Sequence, residues 1–118
     1  MITAFARGDA EQIRCVVTPD VVFHAGGHSQ FAGDYRGIDT ILAMFGRLVQ
    51  ATNGTLEVEV HDMLANDQHG VILLREKAQR NGETLEFEVT DVHHFRDGRI
   101  SEIWSQPADE RAFEEFFA

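Results

Sequence analysis

The chain has 118 residues, with 20 acidic against 10 basic side chains and a formal net charge of -10, which is enough sequence for one domain with a strongly negative surface. That charge argues against nucleic acid and anionic membranes as partners, and no window joins clustered Lys or Arg to aromatics. With no apolar run near the roughly 18 residues that span a bilayer, no leader-like opening and a lone Cys15 that rules out an internal disulfide, a soluble cytoplasmic protein is expected.

Ile2, Phe5 and Ala6 lie on one helical stripe before Arg7-Gly8-Asp9 interrupts it, as in the closing turns of a helix whose earlier part is short or missing. Asp9 and Gln12 have capping-box spacing and predict a second helix to about Val17, ended by Thr18-Pro19-Asp20. Cys15 joins Ile13 and Val16 in its apolar pattern and is expected to be a small buried hydrophobe. Val21 to Ala25 reads as a short strand, and the glycine-rich stretch from Gly26 to Gly37 as a loop without regular structure. From Ile38 the apolar residues Ile41, Leu42, Phe45, Leu48 and Val49 recur at helical spacing until Asn53-Gly54 stops the helix.

Beyond Gly54 the period changes from helical to alternating, and four strands in meander order are predicted. On the first, Leu56, Val58, Val60, Asp62 and Leu64 face one way, with Glu57, Glu59 and His61 opposite. Asn66-Asp67 turns the chain into a strand from Val71 to about Arg80, and Asn81-Gly82 makes the hairpin to Leu85 through Phe95. Asp97-Gly98 makes the next hairpin, and the last strand runs from Arg99 to about Gln106. Pro107 ends it, Asp109 caps a final helix, and Phe113, Phe116 and Phe117 form that helix's docking face. Helices first and a curved, mostly antiparallel sheet second is an α+β arrangement, with the helices over one face of the sheet.

The chemistry concentrates on the third of these strands. Alternation sets Asp91 with Phe87, Val89, His93 and Phe95 on one face, so its carboxylate meets apolar neighbours and loses hydration. Such a group finds a partner, lines a cavity or holds its proton, and each outcome marks a candidate site. His24 is a candidate proton-transfer partner, although alternation leaves open whether His24 or Phe23 points inward. His94 is expected on the opposite face from Asp91, and Arg75 and Lys77 on the outer face of their strand. His28, His61 and His69 read as loop or surface residues. Histidine spacing offers no converging ligand set, so neither a metal nor another cofactor is expected.

The order of elements, the segment DVVFHAGGHSQFAGDYRG opening into a helix, and DVHHFRDGRISEIW near the end resemble the NTF2-like superfamily, in its SnoaL-like and ketosteroid-isomerase-like branch. The resemblance covers nearly the whole chain. It implies a cone-shaped α+β barrel, an apolar cavity open at one end, and a homodimer through the sheet face. It also implies an acid/base or hydrogen-bonding role for Asp91, like the carboxylic acid that ketosteroid isomerase keeps neutral in an apolar site. Trp104 is implied to lie against the ligand, Tyr35 and Phe31 to shape the cavity mouth, and Phe45, Phe87 and His93 to line the interior.

Two departures separate the chain from the isomerase itself. The isomerase's general base would fall at or beside Ala25, and its catalytic Tyr at Met1 or Ile2, so steroid isomerisation by that mechanism is not expected. The expected activity is cofactor-free acid/base chemistry, such as isomerisation, cyclisation or dehydration, on a hydrophobic oxygenated molecule of polyketide or terpenoid type. Asp91 would be the acid and His24 the base. The alternatives are a non-catalytic binding protein for a small apolar ligand and a scaffold whose cavity is vestigial.

Overall fold

The structure, a computed structural model, describes residues 10–118. The stripe at Ile2, Phe5 and Ala6 and the Asp9 cap lie outside them. Helix α1 (Ala10–Val16) leads directly into β1 (Val17–Ala25), and β2 (Gly33–Arg36) turns back along it. Helix α2 (Ile38–Ala51) follows, then β3 (Glu57–Ala65), β4 (His69–Arg80), β5 (Glu83–Arg96), β6 (Arg99–Pro107) and the short α3 (Glu110–Phe116). The strands form one sheet in the order β2-β1-β6-β5-β4-β3, antiparallel throughout except where β1 runs parallel to β6. This is the expected α+β architecture, with a meander from β3 to β6.

The hairpin turns follow from their residues. Asp97 and Gly98 adopt φ values of 54° and 77°, and Asn81 and Gly82 adopt 52° and 79°. Consecutive positive φ values match the right-handed twist of the flanking strands, which is why Asp-Gly and Asn-Gly occupy both turns. Asp109 caps α3 through a 3.0 Å bond from the Ala112 amide. Both α2 and α3 lay apolar residues on the sheet, Ile41 and Met44 from one and Phe116 from the other, together with Phe117 just beyond α3.

Four expectations change here. The strand expected from Val21 starts at Val17, since the chain pairs with Ile100 of β6 before Pro19 and resumes at Val22; the register shift between them accommodates a residue without an N–H. The loop before α2 contains β2, because residues 33–36 pair with β1. Cys15 is exposed: Ile13 and Val17, four residues apart on α1 and at the start of β1, take the buried positions, and two residues of helix turn Cys15 about 200° from Ile13. On β3 a register shift between Val60 and Asp62 bulges the strand at His61. One extra residue reverses the facing of everything after it, so Val58 and Val60 share the inner face while Asp62 and Leu64 move to the outer one.

Candidate active site

The sheet curves around α2 and leaves between them a cavity of about 540 Å³. Its wall is mostly apolar, with Phe45 and Leu48 of α2, Phe23 of β1, Val58 of β3, Leu74 of β4 and Ile103 of β6 among the residues that face it. Five side chains bring polarity: Ser29, Glu76, Asp91, His93 and Ser105. No Lys or Arg is among the described residues that line it. A ligand there would be held chiefly by apolar contact and oriented by a few polar groups, the usual composition of a small-molecule site.

Asp91 stands on β5 directly across from Ser105 of β6 and Ile72 of β4. Burial pushes its carboxyl up to about 6, against a hydrogen bond from the Ser105 hydroxyl that lowers it. Its Oδ1 is buried and has no hydrogen-bond partner among the described residues. Ser105 thus holds the carboxyl of a residue that lines the cavity, while Oδ1 is shut away from solvent without a donor among the described residues. Two residues along, His93 is 2% exposed, and burial drives its imidazole down to about 4, so it faces the cavity as a neutral ring. Glu76 is the residue that sequence reasoning passed over. Burial first and the Asp91 charge second raise its carboxyl to about 8. The signal was available, because placing Arg75 and Lys77 outward by alternation places Glu76 inward. The two bases do lie outward, where they pair with Glu88 at 3.9 Å and Glu86 at 4.0 Å.

The other expected site residues divide. Phe31 and Phe45 line the cavity with His93. Tyr35 does not; its hydroxyl donates to the Phe31 carbonyl at 2.8 Å, which fixes the loop carrying Phe31. Phe87 packs edge-on against Phe113, 5.4 Å between centroids, and it is Phe113 that reaches the cavity. Trp104 is outward and 36% exposed. The register shift between His94 and Phe95 leaves Ser101 unmatched, so Ile100 points inward while Trp104, four residues on, points out.

His24 is also outward, since Phe23 and Ala25 face the cavity. The Asp91 and His24 couple is therefore not assembled: the sheet lies between them. His24 instead stacks on Trp104 at 5.0 Å, and its ring nitrogens meet Asp34 at 2.7 Å and Glu102 at 2.5 Å. Burial works against its charge, but the hydrogen bonds and charges of Asp34 and Glu102 outweigh it and raise the imidazole above its ordinary 6.5. His94 joins the same outer face, tilted on Trp104 at 4.5 Å. At the surface, ligand atoms of His28, Glu110 and Glu114 come within 4.8 Å of one another, a convergence that histidine spacing did not suggest; Glu114 also accepts the His28 amide at 2.8 Å and Glu110 accepts from Gln106. Among the described residues no helix is long and apolar enough to cross a membrane.

The sequence profile of the SnoaL-like domain matches residues 1–103. The chain belongs to this family. It is 34% identical over 116 residues to an uncharacterised protein of Mycobacterium tuberculosis, covering 98% of this chain and 88% of the relative. Among solved structures it is similar to Bal32a from a soil-derived mobile gene cassette, at TM-score 0.91 and 29% identity, covering 98% of this chain and 89% of that one. It shares its fold with a putative SnoaL-like polyketide cyclase from Jannaschia sp. CCS1, at TM-score 0.75 and 16% identity, covering 91% and 81% of the two chains. For this SnoaL-like chain the NTF2-like fold expected from the motifs is what the structure shows.

The outer-face triad generates a pH test. Because the folded state raises the His24 value above 6.5, its ion pairs contribute stability in full below that pH, and the contribution is lost as pH rises through the folded value. His24→Gln should lower the unfolding free energy at pH 6 by about 1 kcal/mol, the scale of a partly exposed ion pair, and by less at pH 9. Equal losses at both pH values in urea titrations would show that the charge is not what holds the triad.

Proposed function

We propose that this SnoaL-like protein is a small-molecule enzyme that carries out cofactor-free acid/base chemistry on a hydrophobic oxygenated molecule in the cavity, with Asp91 as the central group. The observation that carries this reading is Asp91 itself, a carboxyl that lines an apolar cavity and whose Oδ1 is buried with no hydrogen-bond partner among the described residues. A carboxyl raised to about 6 exchanges a proton near neutral pH, which a general acid or base must do. The volume of about 540 Å³ falls within the ordinary range for sites that enclose a small ligand. The Jannaschia neighbour's description as a putative SnoaL-like polyketide cyclase is in keeping with the same class of chemistry. Phe31, Phe45 and His93 would bind the ligand's apolar body, while His24 and Trp104 would not touch it.

A panel of neutral hydrophobic ketones and lactones, screened for thermal stabilisation and then for turnover, tests this reading. Asp91→Asn should reduce turnover of an accepted compound by roughly 10²-fold or more, the ordinary contribution of a positioned acid or base, while changing its affinity far less. Stabilising compounds that neither protein turns over would favour the alternative, a binding protein for a small apolar ligand. Unchanged turnover in Asp91→Asn would remove Asp91 from the chemistry.

We propose further that two copies associate through the outer face of the sheet. Leu64, Val71, Val92 and Trp104 stand directly opposite one another across β3, β4, β5 and β6, an apolar row on a face that the helices leave uncovered. Burying such a row against its own copy removes it from water with two-fold symmetry. Val92→Glu should shift the sedimentation coefficient from dimer to monomer; a wild-type monomer, or a dimer that survives the substitution, would contradict the pairing.

A further inference from the structure

Two carboxyl side chains enter the cavity, and Asp91 accounts for only one of them. Glu76 and Asp91 lie on the inner faces of neighbouring strands, but not side by side. Asp91 is opposite Ile72 in the ladder and Glu76 is opposite Phe87, so they stand four residues apart, about 13 Å along the strands. No hydrogen bond joins them among the described residues. Their surroundings decide their charge. Arg75 and Lys77, which flank Glu76, are turned to the outer face and engaged by Glu88 and Glu86. From β5 the cavity receives Asp91 and His93 beside the apolar Val89, and from β6 the Ser105 hydroxyl beside Ile103. From α2 it receives apolar side chains and Gly46, from β1 Phe23 and Ala25, from β3 Val58, from the loop after β1 Ser29, and beside α3's start Pro107 with Phe113. Among the described residues no cation faces either carboxyl. Burial opposes the ionisation of each, and the charge of Asp91 adds to the cost at Glu76.

We propose that Glu76 is the second acid–base group of the cavity, set along the β4–β5 ladder from Asp91 so that a neutral oxygenated ligand lying between them meets a carboxylic acid at one end and a carboxylate at the other. The proposal rests on the acid/base reading of Asp91 and adds the division of labour that His24, on the wrong face, does not supply. Asp91, with Ser105 donating to it, is the better stabilised anion. Glu76, which receives the Asp91 charge and no donor among the described residues, keeps the proton. This places a hydrogen-bond donor and an acceptor at separate points of one wall. The matching ligand is uncharged, with an oxygen that accepts from Glu76 and, several ångströms away, an O–H or acidic C–H that gives to Asp91. Carboxylate ligands are disfavoured, because the cavity already holds one negative charge that no Lys or Arg among the described residues faces.

Carbon-13 NMR of the unliganded protein, with labelled Asp and Glu carboxyls assigned through Asp91→Asn and Glu76→Gln, reads the pair directly. In the wild type the Glu76 resonance should still report a protonated acid at pH 7 while Asp91 is mostly ionised, and Asp91→Asn should move the Glu76 midpoint to lower pH. A Glu76 that titrates in the ordinary glutamate range, or a midpoint indifferent to Asp91→Asn, would overturn the proposal. With any compound the wild type turns over, the pH–rate profile should be bell-shaped and Glu76→Gln should abolish its alkaline limb. If Asp91→Asn stops turnover and Glu76→Gln leaves both rate and profile intact, Glu76 is excluded while the acid/base reading of Asp91 stands.

Discussion

Carboxyl groups held in an apolar cavity with no basic counter-ion among the described residues are the constraint around which the rest of this structure is arranged. An ionised carboxylate in such surroundings is costly, and proteins ordinarily relieve it with an Arg, a Lys or a set of backbone donors. Here Asp91 has the Ser105 hydroxyl as a donor, and its Oδ1 is buried with no hydrogen-bond partner among the described residues. Glu76 has the Asp91 charge against it. The buried His93 adds no positive charge near neutrality, because its own burial holds it neutral. The interior is therefore poised to hold a proton, a property of use for chemistry and unfavourable for stability.

The sheet keeps the two kinds of charge apart. Its outer face carries the Arg75–Glu88 and Lys77–Glu86 pairs across β4 and β5 and the His24, Asp34 and Glu102 cluster across β1, β2 and β6. Its inner face carries Glu76 and Asp91, with no Lys or Arg beside them among the described residues that line the cavity. Strict alternation along β4 makes Arg75-Glu76-Lys77 contribute to both faces at once, and a shift of one residue would bring the bases inside and abolish the site. The long β4–β5 ladder, without irregularity from Gly70 to Arg80, is what fixes that register. Helix α2 then closes the inner face with side chains that supply no charge of their own.

How much of this was legible in the sequence depended on where the strands bulge. Asp91 and His93 were readable as inward because β5 alternates without interruption from Glu83 to His94. The family motifs and the two turn pairs, Asn81-Gly82 and Asp97-Gly98, were enough to give the meander. Trp104 and the end of β3 were misread because bulges at Ser101 and His61 reverse the facing of later residues, and one unpaired residue leaves no trace in a periodicity of two. His24 was ambiguous for a related reason: β1 pairs with β6 irregularly around Pro19, so its facing is set by a partner strand distant in the chain. Cys15 failed on the shortness of α1, whose two turns bury only one side. Glu76 differs from these, since the outward placement of Arg75 and Lys77 already implied it.

The most direct test of the central claim, that the cavity holds carboxyls at the expense of stability, is the unfolding free energy of the wild type against Glu76→Gln/Asp91→Asn as a function of pH. Both carboxyls have folded values above their ordinary ones, 4.5 for Glu76 and 3.8 for Asp91. The wild type must therefore lose stability relative to the double variant as pH rises from about 4 to about 8, because ionisation is then gained only on unfolding. The account predicts a double variant that matches the wild type near pH 4, up to a pH-independent offset, and is several kcal/mol more stable relative to that offset at pH 8. A difference that stays constant across this range, or that turns in favour of the wild type as pH rises, would contradict it.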